Sequence, residues 1–162
     1  MAINNYRRLT IEELEPLEKE FVDFLVVNGI TAPDWVKLKE ETPEKGEEMV
    51  DLFSEVVFEG IFRKVKFLEI RSNRFIHAYQ CLENKMILVG MESSDPGLDL
   101  SKGDLHEITG QSVSSISLFM TEKPYDKKRE HELYDMTVKG CEISEGQLFK
   151  QLSLAYINNR NG

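Results

Sequence analysis

The amino-acid sequence predicts an α+β fold in a single domain, residues 1–162, on three observations. Apolar side chains recur at helical spacing in residues 1–60, the spacing changes to that of strands over residues 62–91, and helical spacing returns in residues 113–158. A chain of 162 residues suits one main core. We expect N-terminal and C-terminal helices to cover one face of a small antiparallel β-meander, with residues 92–112 as a loop.

Three helices are expected in the acidic first 60 residues. Thr10 and Glu13 have the spacing of a capping box, in which each side chain binds the other residue's backbone amide. Thr31 starts a second helix, and Pro43 starts a third, long amphipathic one. Gly60 is the predicted end of this third helix.

Three strands are expected over residues 62–91. Apolar and polar side chains alternate over residues 62–70, and the runs Arg74–Cys81 and Met86–Met91 are rich in strand-forming residues. The turn signals Ser72-Asn73 and Glu83-Asn84-Lys85 separate these runs. Since an isolated meander of this size is marginal in water, helices should pack on one of its faces.

The remaining third of the chain predicts a loop followed by helices. Residues 92–112 are rich in Ser, Asp, Pro and Gly, which indicates a long surface loop. Helices are then expected at Val113 to Met120 and at Asp126 to Lys139. A capping box at Ser144 to Gln147 predicts the start of the last helix.

The charge distribution limits the classes of partner that the protein can bind. The net charge is −9, and residues 1–60 supply all of it, with 15 acidic against 6 basic residues. Such an acidic field disfavours nucleic acid and anionic membranes and favours a basic protein partner or simple solubility. A homo-oligomer is the alternative partner. No apolar run approaches the roughly 20 residues of a membrane helix. Two cysteines are too few for a disulfide framework. An acidic helix follows Arg7 and Arg8 where a signal peptide would have its apolar region, so we expect a cytoplasmic protein.

No metal site is expected. His106 and His131 each begin a sequence that resembles the zinc-protease pattern, but Gly110 and Asp135 stand where the second histidine should be. A loose acidic site could be assembled from the predicted loop, although a polar surface loop explains the same residues. Its carboxylates are those of Glu92, Asp95, Asp99 and Asp104.

No catalytic residue or cofactor is expected either. Cys81 and His77 point to the same face of one predicted strand, but four residues of strand separate them by roughly 13 Å. Cys141 has acidic neighbours that would raise its thiol pKa. The alternative is an enzyme without a recognisable motif, whose pocket lies near His77, Cys81 or His106 under residues 92–112 as a lid.

A basic strip gives a second alternative, a weak single-stranded RNA-binding module. Five basic residues fall on the first two predicted strands: Arg63, Lys64, Lys66, Arg71 and Arg74. Aromatic residues are interleaved with them: Phe62, Phe67, Phe75 and Tyr79. RNA modules stack bases on such faces. We favour the simpler interpretation, in which the aromatic rings are core and the acidic helices pair with the basic side chains.

Several segments resemble one known family. They are Tyr6-Arg7-Arg8-Leu9-Thr10 with Glu12-Glu13-Leu14, Glu20-Phe21 to Gly29-Ile30-Thr31, Leu52-Phe53-Ser54 to Phe58-Glu59, Gly140-Cys141, and Ser144-Glu145-Gly146-Gln147-Leu148-Phe149-Lys150. Over nearly the full length, the chain resembles an uncharacterised bacterial family, a domain of unknown function. The resemblance implies a single-domain bacterial cytosolic protein and carries over no activity. Because the sequence contains no complete catalytic constellation, the leading hypothesis is a non-enzymatic binding or adaptor protein with an acidic helical face.

Overall fold

The computed structural model describes residues 5–110 and 114–161 and has the predicted α+β architecture. The chain divides into two compact units, Met1–Arg63 and Lys64–Gly162, which we call the N-terminal and C-terminal units. No helix in the described ranges is long and apolar enough to span a bilayer. The single domain, and the packing of the N-terminal helices on the sheet, stay predictions.

The N-terminal unit is helical. Its helices are α1 (Ile11–Leu14), α2 (Glu18–Val27), α3 (Ala32–Glu41) and α4 (Pro43–Lys64). The predicted capping box is present, because the Glu13 amide donates to Thr10 Oγ1 at 3.2 Å and the Thr10 amide donates to Glu13 Oε1 at 2.8 Å. Thr31 and Asp34 form a second capping box at the start of α3.

Aromatic rings form the core of this unit. The Phe21 ring makes edge contacts with Phe53 of α4 at 5.0 Å and with Trp35 of α3 at 5.2 Å between centroids. Phe24 adds a fourth ring, 5.4 Å from Phe53. Because each ring belongs to a helix that buries apolar area against the next, α2, α3 and α4 hold each other in place.

The prediction that α4 ends at Gly60 is wrong, and so is the predicted start of the first strand at residue 62. The helix continues to Lys64, and the first strand begins at Phe67. Phe58 and Phe62 lie one turn apart on α4, and both stack on Tyr6, at 5.7 and 6.3 Å between centroids. This packing offsets the roughly 1 kcal/mol that a glycine costs inside a helix.

The C-terminal unit is built on a five-stranded antiparallel sheet in the order β4-β3-β2-β1-β5. Its strands are β1 (Phe67–Arg71), β2 (Phe75–Cys81), β3 (Lys85–Ser93), β4 (Ile116–Pro124) and β5 (Glu142–Ser144). Its helices are α5 (Leu105–Gly110), α6 (Arg129–Val138) and α7 (Gln147–Asn161). The meander of β1, β2 and β3 with its two turns is as predicted, and the sheet adds a strand at each edge.

One face of this sheet carries the main core. Ile76 and Ala78 of β2 pair with Met91 and Val89 of β3, and all four side chains are buried with Leu152 of α7. Residues with the opposite parity, such as His77, point to the other face. The predicted packing of a C-terminal helix on one sheet face is therefore present for α7.

The helix predicted at Val113 to Met120 is wrong, because residues 116–124 form β4. Ile116, Leu118 and Met120 pack against the core under α7, whereas Ser117, Phe119 and Thr121 point to the opposite face, and the apolar Phe119 interrupts the alternation of polar and apolar residues. Val113 itself lies outside the described residues.

Residues 92–110 contain more regular secondary structure than the surface loop predicted for residues 92–112. Strand β3 runs through Ser93, and α5 occupies Leu105–Gly110, while residues 111–112 lie outside the described part of the chain. Leu100 is fully buried in the core, and the Arg71 guanidinium donates to its carbonyl oxygen at 3.0 Å. The same guanidinium also donates to the carbonyl oxygens of Lys102 and Gly103. These hydrogen bonds from Arg71 therefore connect the segment to β1.

The capping box predicted at Ser144 is wrong. Ser144 belongs to β5, its hydroxyl oxygen accepts from the Gly146 amide at 3.3 Å, and α7 begins at Gln147. Gly146 adopts φ +94°, and a Cβ there would lie 2.7 Å from the Phe67 ring, so only glycine fits this turn. Cys141 lies between α6 and β5.

Gly60→Ala tests the corrected course of α4. The residue lies inside the helix, and an added Cβ would meet no atom within 4 Å. Alanine should raise the free energy of unfolding by about 0.5–1 kcal/mol, measured by urea denaturation. Gly146→Ala is the opposing control and should destabilise the protein. A loss of stability in Gly60→Ala would contradict the continuous helix.

Ser54→Ala tests a buried hydrogen bond in the N-terminal unit. The Ser54 hydroxyl accepts from the Leu9 amide at 2.9 Å and donates to the Val50 carbonyl oxygen at 2.8 Å. Alanine leaves the Leu9 amide without this acceptor, so the free energy of unfolding should fall by about 1–3 kcal/mol. Ser153→Ala is the matched control, because the buried Ser153 hydroxyl has no hydrogen-bond partner. Equal effects of the two substitutions would contradict the assignment.

Candidate functional site

Exposed apolar side chains are concentrated in the N-terminal unit. Of the thirteen large hydrophobic residues that are exposed in the described part of the chain, eight belong to this unit. Leu52 and Val56 of α4 are 47% and 58% exposed, and Glu48 is exposed as well. Since these three residues are spaced four apart, they form one line along the helix, which we call the α4 ridge.

The basic residues at the start of the chain do not neutralise this unit as a whole. The Arg7 guanidinium donates to both carboxylate oxygens of Glu13, at 2.7 and 2.8 Å. The Arg8 guanidinium donates to both carboxylate oxygens of Asp51, at 2.6 and 3.1 Å. The Arg7 contact holds the pKa of Glu13 at about 2. Arg8 also lies 4.0 Å from a carboxylate oxygen of Glu47, but two arginines cannot offset the 15 acidic residues of this part of the chain, so a large acidic excess remains.

His77 occupies the sheet face opposite the main core. Its ring lies 4.4 Å from the ring of Phe75 and 5.7 Å from that of Phe119, between centroids. Phe119 lies across Gly90 of β3, where a Cβ would come within 2.4 Å of the ring. We call Phe75, His77, Gly90 and Phe119 the histidine face.

The His77 imidazole is held in its neutral form. Its Nε2 atom is buried without a hydrogen bond, because the nearest carboxylate oxygen, Glu92 Oε1, is 3.7 Å away. Burial lowers the pKa of His77, and the Glu92 carboxylate only partly opposes this shift. The ring therefore packs as an aromatic side chain at neutral pH.

The structure does not bring His77 and Cys81 together. Both side chains lie on one face of β2, separated along the strand as the sequence analysis expects. Cys81 is only 5% exposed, and burial raises the pKa of its thiol to about 12. The pKa of Cys141 is also raised, but burial rather than its acidic neighbours is the cause. Arg129 near Cys81 and Lys123 near Cys141 oppose these shifts, but burial outweighs both cations, so neither cysteine is activated as a thiolate.

No group of three or more metal-ligating side chains is found among the described residues. The Asp135 carboxylate, which could have joined His131, forms an ion pair with Lys127. In the loop, Asp95 Oδ1 accepts from the Gly97 amide at 2.8 Å and Asp99 Oδ1 accepts from the Ser101 amide at 2.9 Å. The side chain of His106 lies outside the described residues.

The basic strip is not assembled as one strand surface. Arg63 and Lys64 end α4, and Arg71 donates to the carbonyl oxygens of the loop rather than to the acidic helices. The expected aromatic core is present at Phe62, which is buried, and at Phe67, whose ring lies 5.7 Å from that of Phe149. The RNA-binding alternative stays a prediction, but the described residues do not form the continuous basic strand surface on which it was based.

Two adjoining cavities at the β1 and β5 edge were missed by the sequence analysis. They have volumes of about 340 and 280 Å³ and share Glu69 and Arg71. Further lining residues include Ser101, Glu142, Ser144, Glu145, Gln147 and Gln151. Side chains alternate along β1, which places Glu69 and Arg71 on the face covered by α7. This alternation is the sequence signal that could have indicated the cavities. The charged side chains that line the cavities are carboxylates except for Arg71, and the Arg71 guanidinium already donates its hydrogen bonds to the loop.

The environment of His77 predicts a pH effect on stability. Since its pKa is lower in the folded state than in the unfolded chain, the unfolded state takes up the proton first as the pH falls below about 6.5. The wild type should therefore lose stability relative to His77→Gln between pH 7.5 and the pKa of the folded state, measured by urea denaturation. Glu92→Gln removes the opposing carboxylate and should steepen this loss. Parallel pH profiles for the wild type and His77→Gln would contradict the assignment.

The comparisons with known proteins give one match. A family model described as a family of unknown function, DUF6495, matches residues 1–156. No curated protein and no solved structure matches the chain significantly. Because the match covers nearly the whole chain, the protein belongs to the DUF6495 family.

Proposed function

We propose that the protein is a non-enzymatic binding protein, or adaptor, that holds a basic amphipathic segment of a partner protein on its N-terminal unit. The α4 ridge carries this proposal, because it exposes two apolar side chains beside a carboxylate in the part of the chain that supplies the whole net charge. A basic amphipathic helix offers the complementary pattern of apolar and cationic side chains.

Both parts of the ridge would contribute to binding. Leu52 and Val56 are each about half exposed, and covering a side chain of this size completely is worth about 1.5–3 kcal/mol. The surrounding carboxylates would speed the encounter with a cationic segment and make it sensitive to salt. Affinity would therefore depend mainly on the apolar pair, and the association rate on the charge.

The histidine face supports binding rather than catalysis as the function of the protein. An enzyme of the kind considered for His77 and Cys81 needs a nucleophile activated by a base. The Cys81 thiol has a pKa of about 12, and the neutral His77 ring is packed between aromatic rings. Neither residue offers the activation that covalent catalysis requires.

A bacterial cytoplasmic setting is part of the proposal. Both cysteines, Cys81 and Cys141, are free thiols, which is the state that a reducing compartment maintains. The resemblance of the chain to an uncharacterised bacterial family supports the same setting.

Fluorescence anisotropy with a labelled amphipathic helix of Lys and Leu at helical spacing tests the proposal. Leu52→Gln/Val56→Gln should weaken binding about tenfold or more, because it removes most of the apolar contact. Leu154→Gln/Ile157→Gln on α7 is the matched control, since these side chains are 61% and 48% exposed, and it should leave the affinity unchanged.

A second pair of variants separates charge from apolar contact. Glu48→Lys should weaken binding several-fold at low salt, whereas Glu83→Lys, in the turn before β3, should have a smaller effect. If both apolar double variants bind as the wild type does, the peptide is attracted by net charge alone, and the α4 ridge is not a binding site.

A further inference from the structure

Strand β4 forms an open edge of the sheet. It pairs with β3 over all nine of its residues, and β3 is the only strand beside it in the described chain. An edge strand of this length presents a row of unpaired backbone amides and carbonyl groups.

The hydrogen-bond register identifies the outward groups. The Ser94 amide donates to the Ser115 carbonyl oxygen at 3.0 Å, so residues of β4 with odd numbers turn their backbone groups toward β3. The even-numbered residues turn theirs to the open edge: Ile116, Leu118, Met120 and Glu122. Pro124 shares this parity but has no amide hydrogen, and it ends the strand.

We propose that β4 pairs antiparallel with β4 of a second copy of this chain, about a two-fold axis at Phe119, to give a continuous ten-stranded sheet. This register places Ile116 opposite Glu122 and Leu118 opposite Met120, each pair occurring twice. All four outward residues of one chain thus meet outward residues of the other. The Pro124 position falls outside these four pairs.

The side chains also fit this register. Leu118 and Met120 are partly buried against the core under α7, so their pairing would extend that core across the axis. On the opposite face, Ser117 lies opposite Thr121, and the two Phe119 rings meet at the axis. This pairing would join the two histidine faces.

Charge favours a second copy as the occupant. Strand β4 carries one acidic and one basic residue, Glu122 and Lys123, so it has no net charge although the chain has −9. In the proposed register, Glu122 lies opposite Ile116 and Lys123 opposite Ser115, so no like charges are opposed. Centring the pair on Met120 instead would set Pro124 opposite Ile116 and lose a hydrogen-bond donor.

Light scattering coupled to size-exclusion chromatography, over about 1–100 µM protein, tests this inference. The wild type should elute as a dimer, and Ser117→Lys/Thr121→Lys should weaken the dimer at least about tenfold by opposing lysines across the axis. Both replaced side chains are exposed, so the fold should persist, as circular dichroism would show. Mixing this variant with Ser117→Glu/Thr121→Glu should restore a dimer, because opposite charges then face each other.

Two further variants test the backbone pairing itself. Glu122→Pro removes an outward amide that β3 does not use, and it should weaken the dimer. Glu122→Gln keeps the amide while losing the ion pair with Lys85, and it should dimerise as the wild type does. A wild type that is monomeric throughout, or a dimer that the paired lysines leave intact, would overturn the inference.

Discussion

The contact between α7 and one face of the sheet is the constraint on which the rest of the C-terminal unit depends. Leu152 of α7 is fully buried with Ile76 and Val89 of the central strands. Because side chains alternate along a strand, burying this face fixes the parity of every strand in the sheet. The same parity sends His77 to the opposite face and Glu69 and Arg71 toward the cavities.

The two proposals combine into one assembly. A dimer formed through β4 would carry two α4 ridges, one on each copy. A partner with two basic segments could then engage both, and the second contact would form at a high effective concentration if its linker spans the two sites. Modest affinity at a single half-exposed apolar pair would in that case suffice for lasting association. The N-terminal unit would recognise the partner, and dimerisation through the C-terminal unit would provide two such binding sites.

The sequence predicts those elements whose local signals agree with their packing. The α+β class, the capping box at Thr10 and the meander follow from turn chemistry and periodicity. Gly60 is a strong stop signal, yet the stacking of Phe58 and Phe62 on Tyr6 overrides it, and this contact with a segment some fifty residues away leaves no local trace. Strand β4 was missed because Phe119 interrupts its alternation and because its pairing with β3 is also non-local. Predicting the cavities requires knowing where α7 packs on the sheet, and the periodicity of the sequence does not give that position.

Burial of the Cys81 side chain has a practical consequence. A buried thiol with a pKa of about 12, at the end of β2, is almost unreactive until the strand opens. Its rate of alkylation would therefore report how often the sheet opens, as amide exchange does for the backbone. Cys141, half-buried and outside the strands, provides a second thiol in the same chain for comparison. The protein thus contains its own probe of local unfolding.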